Sequence, residues 1–249
     1  MNCQPYKNIK VYIRLLFNQF NRCLLCLGNA SGIPECICVA CTNDLPWLGS
    51  ACRQCALPLP NEDMLCGQCQ QQPPAFSQII APFRYEFPLD SLIPAFKYQH
   101  KLTYGRLLAH LLHQTVVYQY AERQLQLPDL VIPLPLHRKR QAQRGYNQAL
   151  ELARPVARQL GITLDHRNLI RQRATTPQQG LKASARRRNL QGAFVCRAPE
   201  QLQGKHIALV DDVVTTGATV NEASRTLLQA GAASVSIWCV ARTPDSSGS

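Results

Sequence analysis

The stretch Val210–Thr219 reads VDDVVTTGAT, and the fold of the surrounding chain can be worked out from it. The apolar residues before it predict a strand over His206–Val210, and those after it predict a helix over Thr219–Ala230 that ends at Gly231. A further apolar run, Ser234–Val240, predicts the next strand. A strand, a helix of about a dozen residues and a second strand form a right-handed βαβ unit, so a parallel sheet is predicted.

The same stretch carries residues suited to a sugar phosphate. Small and hydroxylated residues lead into a helix at Thr215–Thr219, where backbone N–H groups, threonine hydroxyls and the helix dipole favour a phosphate. Gly217 allows a close approach of the backbone and a positive φ. The carboxylates of Asp211 and Asp212 would repel a phosphate, but they suit the vicinal hydroxyls of a ribose or a Mg²⁺ ion. Because ligands of open α/β sheets bind at the carboxyl ends of strands, we predict a sugar-phosphate site here.

This order of residues resembles the binding fingerprint of the type I phosphoribosyltransferases: a hydrophobic strand, two acids, two apolar residues and T-T-G-x-T. The resemblance implies that the ligand is phosphoribosyl pyrophosphate with Mg²⁺, and that Asp211 and Asp212 hold the ribose hydroxyls. It implies that the 5′-phosphate is held by Thr215, Thr216, Gly217, Ala218 and Thr219. The alternative is an ordinary strand–turn–helix connection in which the two acids act as caps.

Strand and helix signals alternate from residue 79 onward, which predicts an α/β domain over 79–249. The predicted elements are a strand at Ile79–Tyr85, a helix over Leu89–Tyr120 with a break near Gln99–Thr103, a buried strand at Leu130–Pro133 and a helix over Asn147–Leu160 ended by Gly161. The Gln- and Pro-rich stretch Gln68–Gln78 comes before this domain and predicts a linker.

Two basic segments follow the predicted strand Leu130–Pro133. We expect the first to be a cationic loop at the carboxyl end of a parallel strand, where a pyrophosphate would bind. Its candidate contacts are His137, Arg138, Arg140 and Arg144. The second segment, Arg171–Asn189, is polar and contains Arg173, and it suits either a lid over a reactive intermediate or an arm that contacts nucleic acid. We assign no catalytic acid or base, because transfer from a phosphoribosyl donor depends on charge stabilisation and positioning.

The positive charge of the chain is concentrated in one region. The formal net charge is +12, and residues 130–190 contain 13 Lys or Arg against Glu151 and Asp165. Such a concentration indicates an anionic partner, either nucleic acid or a phosphate-rich ligand. The alternative is a solvated basic surface that keeps the protein soluble.

The cysteines predict a metal-binding module. Nine of the 12 lie between Cys23 and Cys69, and eight of these form four C-x-x-C pairs. The predicted ligands are Cys23, Cys26, Cys38, Cys41, Cys52, Cys55, Cys66 and Cys69. Two such pairs complete a four-cysteine zinc site, so eight ligands allow two structural Zn²⁺ ions, paired sequentially or cross-braced. Disulfides are the less favoured alternative, because we find no secretion signal and clustered pairs point to a reducing compartment.

The amino-terminal residues define the remaining boundaries. Residues 1–22 predict a short lead-in without the apolar core of a signal peptide, and residues 23–72 predict the zinc-binding module. The sequence contains no apolar run of about 18 residues, so no membrane-spanning helix is predicted.

Taken together, these motifs resemble those of the ComF/GntX family of competence and DNA-utilisation proteins. In order they are the cysteine pairs with LPWL at Leu45–Leu48, FKY at Phe96–Tyr98, PLPLHRKRQAQRGYNQ, RQRATTPQQ, RRRNLQGAF and VDDVVTTGAT. They cover nearly everything after Asn21. The departures are small, such as PLP where PVP is common and RGYN where RGFN is common.

The resemblance implies a cytoplasmic protein that handles single-stranded DNA taken up from outside. It implies a phosphoribosyltransferase-like domain that binds phosphoribosyl pyrophosphate. Three functions remain open: a DNA-handling protein that carries this binding site, an active phosphoribosyltransferase that acts on an unidentified small acceptor, or a protein whose zinc-binding module docks a helicase or channel protein of the DNA-uptake machinery.

Overall fold

The structure is a computed structural model and describes residues 22–30, 36–61, 64–173 and 190–244. Residues 1–21 of the predicted lead-in and residues 174–189 of the second basic segment lie outside the described residues. The chain divides into two compact units, Met1–Leu45 and Pro46–Ser249. The predicted α/β domain belongs to the second unit.

A parallel sheet forms the centre of the second unit, as predicted. The described strands are β1 (Ile79–Ile80), β2 (Phe83–Arg84), β3 (Leu130–Pro133), β4 (Thr163–Leu164), β5 (Leu169–Arg171), β6 (Phe194–Cys196), β7 (His206–Val214) and β8 (Ser234–Arg242). The sheet order is β1-β8-β7-β3-β4, β2 also pairs with β8, and every pair is parallel. Strands β5 and β6 form a separate antiparallel pair. Strand β8 is buried along almost its whole length, as expected for a parallel sheet covered on both faces.

Helices cover this sheet. The described helices are α1 (Val39–Asn43), α2 (Gly67–Gln71), α3 (Leu89–Tyr98), α4 (Leu102–Glu122), α5 (Arg138–Arg144), α6 (Gln148–Leu160) and α7 (Ala218–Gln229), with a 3-10 turn at Pro199–Leu202. Helix α4 packs against α6 and β8, α6 also packs against β3 and β7, and α7 packs against β6 and β8. The predicted break in the first long helix is confirmed between α3 and α4. Within the described ranges, no helix has both the length and the apolar character needed to cross a bilayer.

Strand β7 is longer than predicted, which changes the position of the two acids. The predicted end at Val210 was wrong, because the strand continues through Val214. The β-branched residues Val213 and Val214 pair with Ala241 and Arg242 of β8 and extend the ladder. The two acids therefore lie within a strand and not in the turn after it.

Helix α5 replaces the cationic loop that was predicted after β3. Its start is capped by the ring of His137, whose Nδ1 accepts the backbone N–H of Lys139 at 3.3 Å. It ends at Gly145, which has a φ of 75° and allows the left-handed turn after the helix. The loop prediction failed because six of the seven residues of this helix are polar, so the segment has no apolar periodicity.

The stretch predicted as a linker is packed into the second unit. Helix α2 covers residues 67–71, and the side chain of Phe76 is buried in the main core. The backbone N–H of Ala75 donates to Oδ1 of Asn221 at 2.7 Å, and the N–H of Ser77 donates to the carbonyl of Val235 at 2.8 Å. The linker prediction was therefore wrong, because composition alone does not reveal a single buried aromatic anchor.

Candidate functional site

The two acids of β7 line a cavity that contains several cations. Its volume is about 240 Å³, and its lining includes Asp211, Asp212 and Thr219. The cations that line it are Lys97, Arg140, Arg144 and Arg171. They come from α3, α5 and β5, so elements that lie far apart in the sequence converge on the two acids. A cavity with carboxylates beside guanidinium and ammonium groups suits a ligand that has both hydroxyls and phosphates.

The carboxylates are held in place by local hydrogen bonds. Oδ1 of Asp211 accepts the backbone N–H of Asp212 at 2.8 Å, and Oδ1 of Asp212 accepts that of Val213 at 2.7 Å. Burial and, to a smaller extent, the negative charge of Asp212 raise the pKa of Asp211, the charge of Lys97 opposes the shift, and the net pKa is about 7. Asp211 therefore changes charge near neutral pH, whereas carboxyl groups in water are ionised there.

Lys97 is a site residue for which the sequence predicted no role. Its Nζ lies 2.8 Å from Oδ1 of Asp212, and the two side chains are only 19% and 10% exposed. Burial lowers the pKa of Lys97, but the charge and the hydrogen bond of Asp212 raise it more, so the net shift is upward. The ammonium group therefore stays charged beside the acids. Its one signal in the sequence is its position in the FKY motif.

A second group of contacts fixes the guanidinium of Arg144 in the cavity. It donates to Oε1 of Gln148 at 2.9 Å and to the hydroxyl of Tyr98 at 2.9 Å, and it lies 4.8 Å from the centre of the Tyr98 ring. The Gln148 side chain also lines the cavity, and its Nε2 is buried with no hydrogen-bond partner among the described residues. A buried amide donor without a partner costs stability, so a ligand acceptor here would be favourable.

The other candidates for the pyrophosphate side do not line this cavity. His137 caps α5, and the side chain of Arg138 is exposed. The side chain of Arg173 is also exposed, and its guanidinium donates to the carbonyl of Gln191 at 2.9 Å. Arg171 takes the place that was predicted for Arg173: it is buried, which lowers its pKa, and it faces the acids.

The phosphate loop, Thr215–Thr219, is divided between two cavities. Thr219 lines the cavity of the acids, whereas Thr216, Gly217 and Ala218 line a neighbouring cavity of about 110 Å³. Gly217 precedes α7 with a φ of 74°, which a residue with a side chain rarely adopts. The carbonyl of Thr215 accepts a hydrogen bond from Arg242.

The cysteines form two separate groups of four. Cys23, Cys26, Cys38 and Cys41 make one group, Cys52, Cys55, Cys66 and Cys69 make the other, and within each group the sulfur atoms lie within 4.8 Å of one another. Pairs are therefore grouped sequentially and not cross-braced. Sulfur–sulfur distances of 3.8 Å for Cys26–Cys38 and 3.6 Å for Cys55–Cys66 match the roughly 3.8 Å edge of a tetrahedral zinc–thiolate site.

A backbone N–H donates to one cysteine sulfur in each group. The N–H of Cys41 donates to Sγ of Cys38 at 3.4 Å, and that of Cys66 donates to Sγ of Cys52 at 3.3 Å. Burial raises the pKa of Cys52, but backbone hydrogen bonds outweigh it and bring the pKa to about 7. Since zinc binds thiolate and not thiol, both groups could hold a zinc ion.

Comparison with known proteins agrees with this arrangement. The sequence profile of the phosphoribosyl transferase domain matches residues 147–248. The chain is 40% identical to DNA utilization protein YhgH of Salmonella typhimurium over 207 residues, which is 83% of this chain and 90% of that protein. It is 36% identical to competence protein F of Haemophilus influenzae over 229 residues, which is 91% of this chain and 100% of that protein.

Solved structures overlap the chain only in part. A purine phosphoribosyltransferase from Pyrococcus horikoshii covers 55% of this chain and 73% of its own, at 20% identity and a TM-score of 0.34. The parallel sheet and the matched domain identify the fold as that of the type I phosphoribosyltransferases, accompanied by two cysteine groups that could hold zinc. With these sequence relatives matched over most of its length, the chain belongs to the ComF/GntX family of competence and DNA-utilisation proteins.

Proposed function

We propose that this chain binds phosphoribosyl pyrophosphate with Mg²⁺ in the cavity that contains Asp211 and Asp212, and that it binds single-stranded DNA through a separate basic surface. The observation that carries the first half is the meeting of two carboxylates with four cations in one cavity. A ligand with vicinal hydroxyls at one end and a pyrophosphate at the other matches both kinds of group. The carboxylate oxygens of Asp211 and Asp212 are suitable Mg²⁺ ligands, and the ion would offset the charge of the pyrophosphate.

The pyrophosphate end of the ligand would face the arginines. Arg144 is held by Gln148 and Tyr98 with its guanidinium in the cavity, so little side-chain entropy would be lost on binding. Arg140 and Arg171 add two further positive charges. Replacing Arg144 should therefore weaken pyrophosphate binding more than replacing an arginine elsewhere on the same surface.

We would test this by calorimetric titration of inorganic pyrophosphate into wild type and Arg144→Ser. The expected result is a loss of affinity of roughly tenfold, the size of one charge-assisted hydrogen bond. The matched control is Arg154→Ser, because Arg154 is an exposed arginine of α6 that pairs with Glu151. Equal affinity for Arg144→Ser and Arg154→Ser would rule out the proposed pyrophosphate end.

The basic residues outside the cavity support the second half of the proposal. Arg138 and Lys139 are exposed and lie on α5 next to the cavity, in the region where the positive charge is concentrated. Contacts of Lys and Arg with phosphates give affinity that does not depend on base sequence and that falls steeply with salt. The names of the relatives, a DNA utilization protein and a competence protein, point to the same ligand.

The DNA surface is tested by measuring binding of a labelled oligonucleotide of mixed sequence as a function of salt. In single strands each phosphate contact contributes about 0.7 to the slope of log K against log salt, so Arg138→Ser/Lys139→Ser should reduce the slope by about 1.4. Arg197→Ser/Lys205→Ser is the control, since it removes the same charge from exposed positions away from α5. A wild-type affinity that does not change with salt would exclude the electrostatic surface.

Transfer of the phosphoribosyl group is the second candidate function. The cavity contains both Asp211 and Asp212, and its four cations would stabilise the departing pyrophosphate. In that reaction the bond from the anomeric carbon to pyrophosphate breaks, and a bond to the acceptor nucleophile forms. Release of pyrophosphate that requires an added acceptor would support turnover, and binding without release for every acceptor would favour a binding role.

A further inference from the structure

Arg242, the last residue of β8, connects the second cysteine group to the phosphate loop. The residue is only 6% exposed, and its Nε donates to the carbonyl of Cys55 at 2.8 Å. Its Nη1 lies 3.4 Å from the carbonyl of Val214 and also donates to the carbonyl of Thr215. One guanidinium thus joins a cysteine pair to the point where β7 enters the loop.

Among the described residues, the Arg242 guanidinium donates hydrogen bonds only to carbonyl groups. Its fourth acceptor is the carbonyl of Thr243 at 2.6 Å, and no described carboxylate lies within ion-pair distance of it. A buried cation of this kind is stable only where its donors are aimed at acceptors, which arginine does with a rigid fork that lysine lacks. The position of the Arg242 guanidinium therefore depends on the position of the Cys55 carbonyl.

A second set of hydrogen bonds also connects the second cysteine group to the phosphate loop. The backbone N–H of Ala75, which follows the helix containing Cys69, donates to Oδ1 of Asn221 at 2.7 Å. The backbone N–H of Asn221 in turn donates to the carbonyl of Gly217 at 2.9 Å and forms the first turn of α7. Cys55 and Cys69 also line the small cavity that contains Thr216, Gly217 and Ala218.

We infer that Arg242 is a positioning residue for the phosphate loop, and that it holds the loop in its binding conformation only while the second cysteine group is assembled. This inference rests on the proposed function, because it assigns to that group control of the 5′-phosphate end of the ligand. Loss of metal from the second group would then weaken binding of a sugar phosphate without any change in the cavity of the acids.

The test compares two ligands on the full-length chain. Ribose 5-phosphate and inorganic pyrophosphate are titrated into wild type, Arg242→Lys and Arg242→Gln. A positioning role predicts that affinity for ribose 5-phosphate falls roughly tenfold in both variants while affinity for pyrophosphate stays within about twofold. An equal loss for both ligands would indicate general damage to the fold, and unchanged affinity in Arg242→Lys would mean that charge alone suffices; either result overturns the inference.

A measurement without ligand separates this inference from the proposed function. Amide hydrogen exchange of residues 215–219 is compared in wild type, Arg242→Lys, Cys66→Ser and the control Cys36→Ser, whose cysteine lies outside both groups. Faster exchange in Arg242→Lys and Cys66→Ser, but not in Cys36→Ser, is the expected result. If wild type binds neither ligand, the proposed function fails, but the exchange pattern still tests the role of Arg242. Equal exchange of residues 215–219 in all four proteins would overturn that role.

Discussion

Nζ of Lys97 lies 2.8 Å from Oδ1 of Asp212, so the end of α3 is joined to the middle of β7 by an ion pair that is largely shielded from water. The pair places a positive charge beside two adjacent carboxylates that would otherwise repel each other. The next residue, Tyr98, accepts a hydrogen bond from Arg144 at its hydroxyl. The end of α3 therefore contacts both the acidic and the basic parts of the cavity.

Replacing Lys97 with methionine should destabilise the protein. Lys97→Met leaves the carboxylate of Asp212 shielded from water without its cation, and we expect the free energy of unfolding to fall by about 2 kcal/mol, between the values for exposed and fully buried pairs. Urea denaturation at neutral pH measures the change. The control is Lys101→Met, because Lys101 is exposed and its ammonium group lies 5.5 Å from the centre of the Tyr104 ring. Equal stability of the two variants would show that the ion pair contributes nothing.

The raised pKa of Asp211 predicts a pH dependence of stability. Its pKa is 3.8 as an ordinary value and about 7 in the folded chain, so the folded state holds the proton more tightly than the unfolded state. The contribution of this group to stability is therefore complete below about pH 4 and is lost as the pH rises to about 7. Urea denaturation between pH 5.5 and pH 8 should show this decline in wild type.

The substitution Asp211→Asn should remove that decline, because the amide does not titrate. The control Asp90→Asn, at an exposed position in the first turn of α3, should leave it unchanged. In the same pH range the affinity for Mg²⁺-phosphoribosyl pyrophosphate should rise with pH, since the ionised carboxylate is the Mg²⁺ ligand. A decline in stability that persists in Asp211→Asn would assign the titration to another group.

Substitution of glycine by alanine should have different effects on stability at Gly105 in α4 and at Gly67 in α2. A Cβ at Gly105 would lie 2.5 Å from Cε2 of the buried Phe96 ring, next to Lys97, whereas one at Gly67 would meet nothing within 4 Å. We expect Gly105→Ala to lower the free energy of unfolding by roughly 1–3 kcal/mol through overpacking. Gly67→Ala should be neutral or slightly stabilising, because alanine favours a helix. Thermal or urea denaturation measures the two changes in the free energy of unfolding. Comparable changes at both positions would refute the packing argument.

The grouping of the cysteines predicts how zinc content responds to paired substitutions. Cys23→Ser/Cys38→Ser damages only the first group, so the protein should retain one zinc ion. Cys23→Ser/Cys52→Ser damages both groups and should lose both ions. With cross-braced pairing, Cys23→Ser/Cys38→Ser would lose both ions and Cys23→Ser/Cys52→Ser would retain one. Metal analysis of the purified proteins measures the content, and the reversed pattern would refute sequential grouping.

Much of this architecture could be predicted from local sequence. The parallel βαβ unit follows from the apolar runs on both sides of VDDVVTTGAT, and helix α6 was predicted from its apolar face and from Gly161, which has a φ of 69° at the helix end. Sequence spacing also identified all eight cysteines that the structure brings into groups of four. These features depend on neighbours within about one helix or strand, which is the range that periodicity and turn signals cover.

The remaining parts of the site depend on contacts between distant elements. Lys97 reaches Asp212 only through the packing of α3 beside β7, and Arg242 reaches Cys55 only because β8 ends next to the second cysteine group. Lys97 is marked only by the FKY motif, which gives it no role, and Arg242 stands in no pattern that distinguishes it from a surface cation. Arg171 is buried as the last residue of β5, whereas Arg173 is exposed two residues beyond the end of that strand, a difference that sequence composition does not resolve.

The most direct test of the central claim is a thermal denaturation of wild type and of Asp211→Asn/Asp212→Asn, each with and without Mg²⁺ and phosphoribosyl pyrophosphate. A ligand that binds only the folded state stabilises it, by about 2.7 kcal/mol at a concentration about 100 times its Kd. We predict that the ligand raises the melting temperature of wild type by several degrees and leaves that of the double variant unchanged. An equal shift in both proteins would place the ligand elsewhere, and no shift in wild type would contradict the proposed sugar-phosphate site.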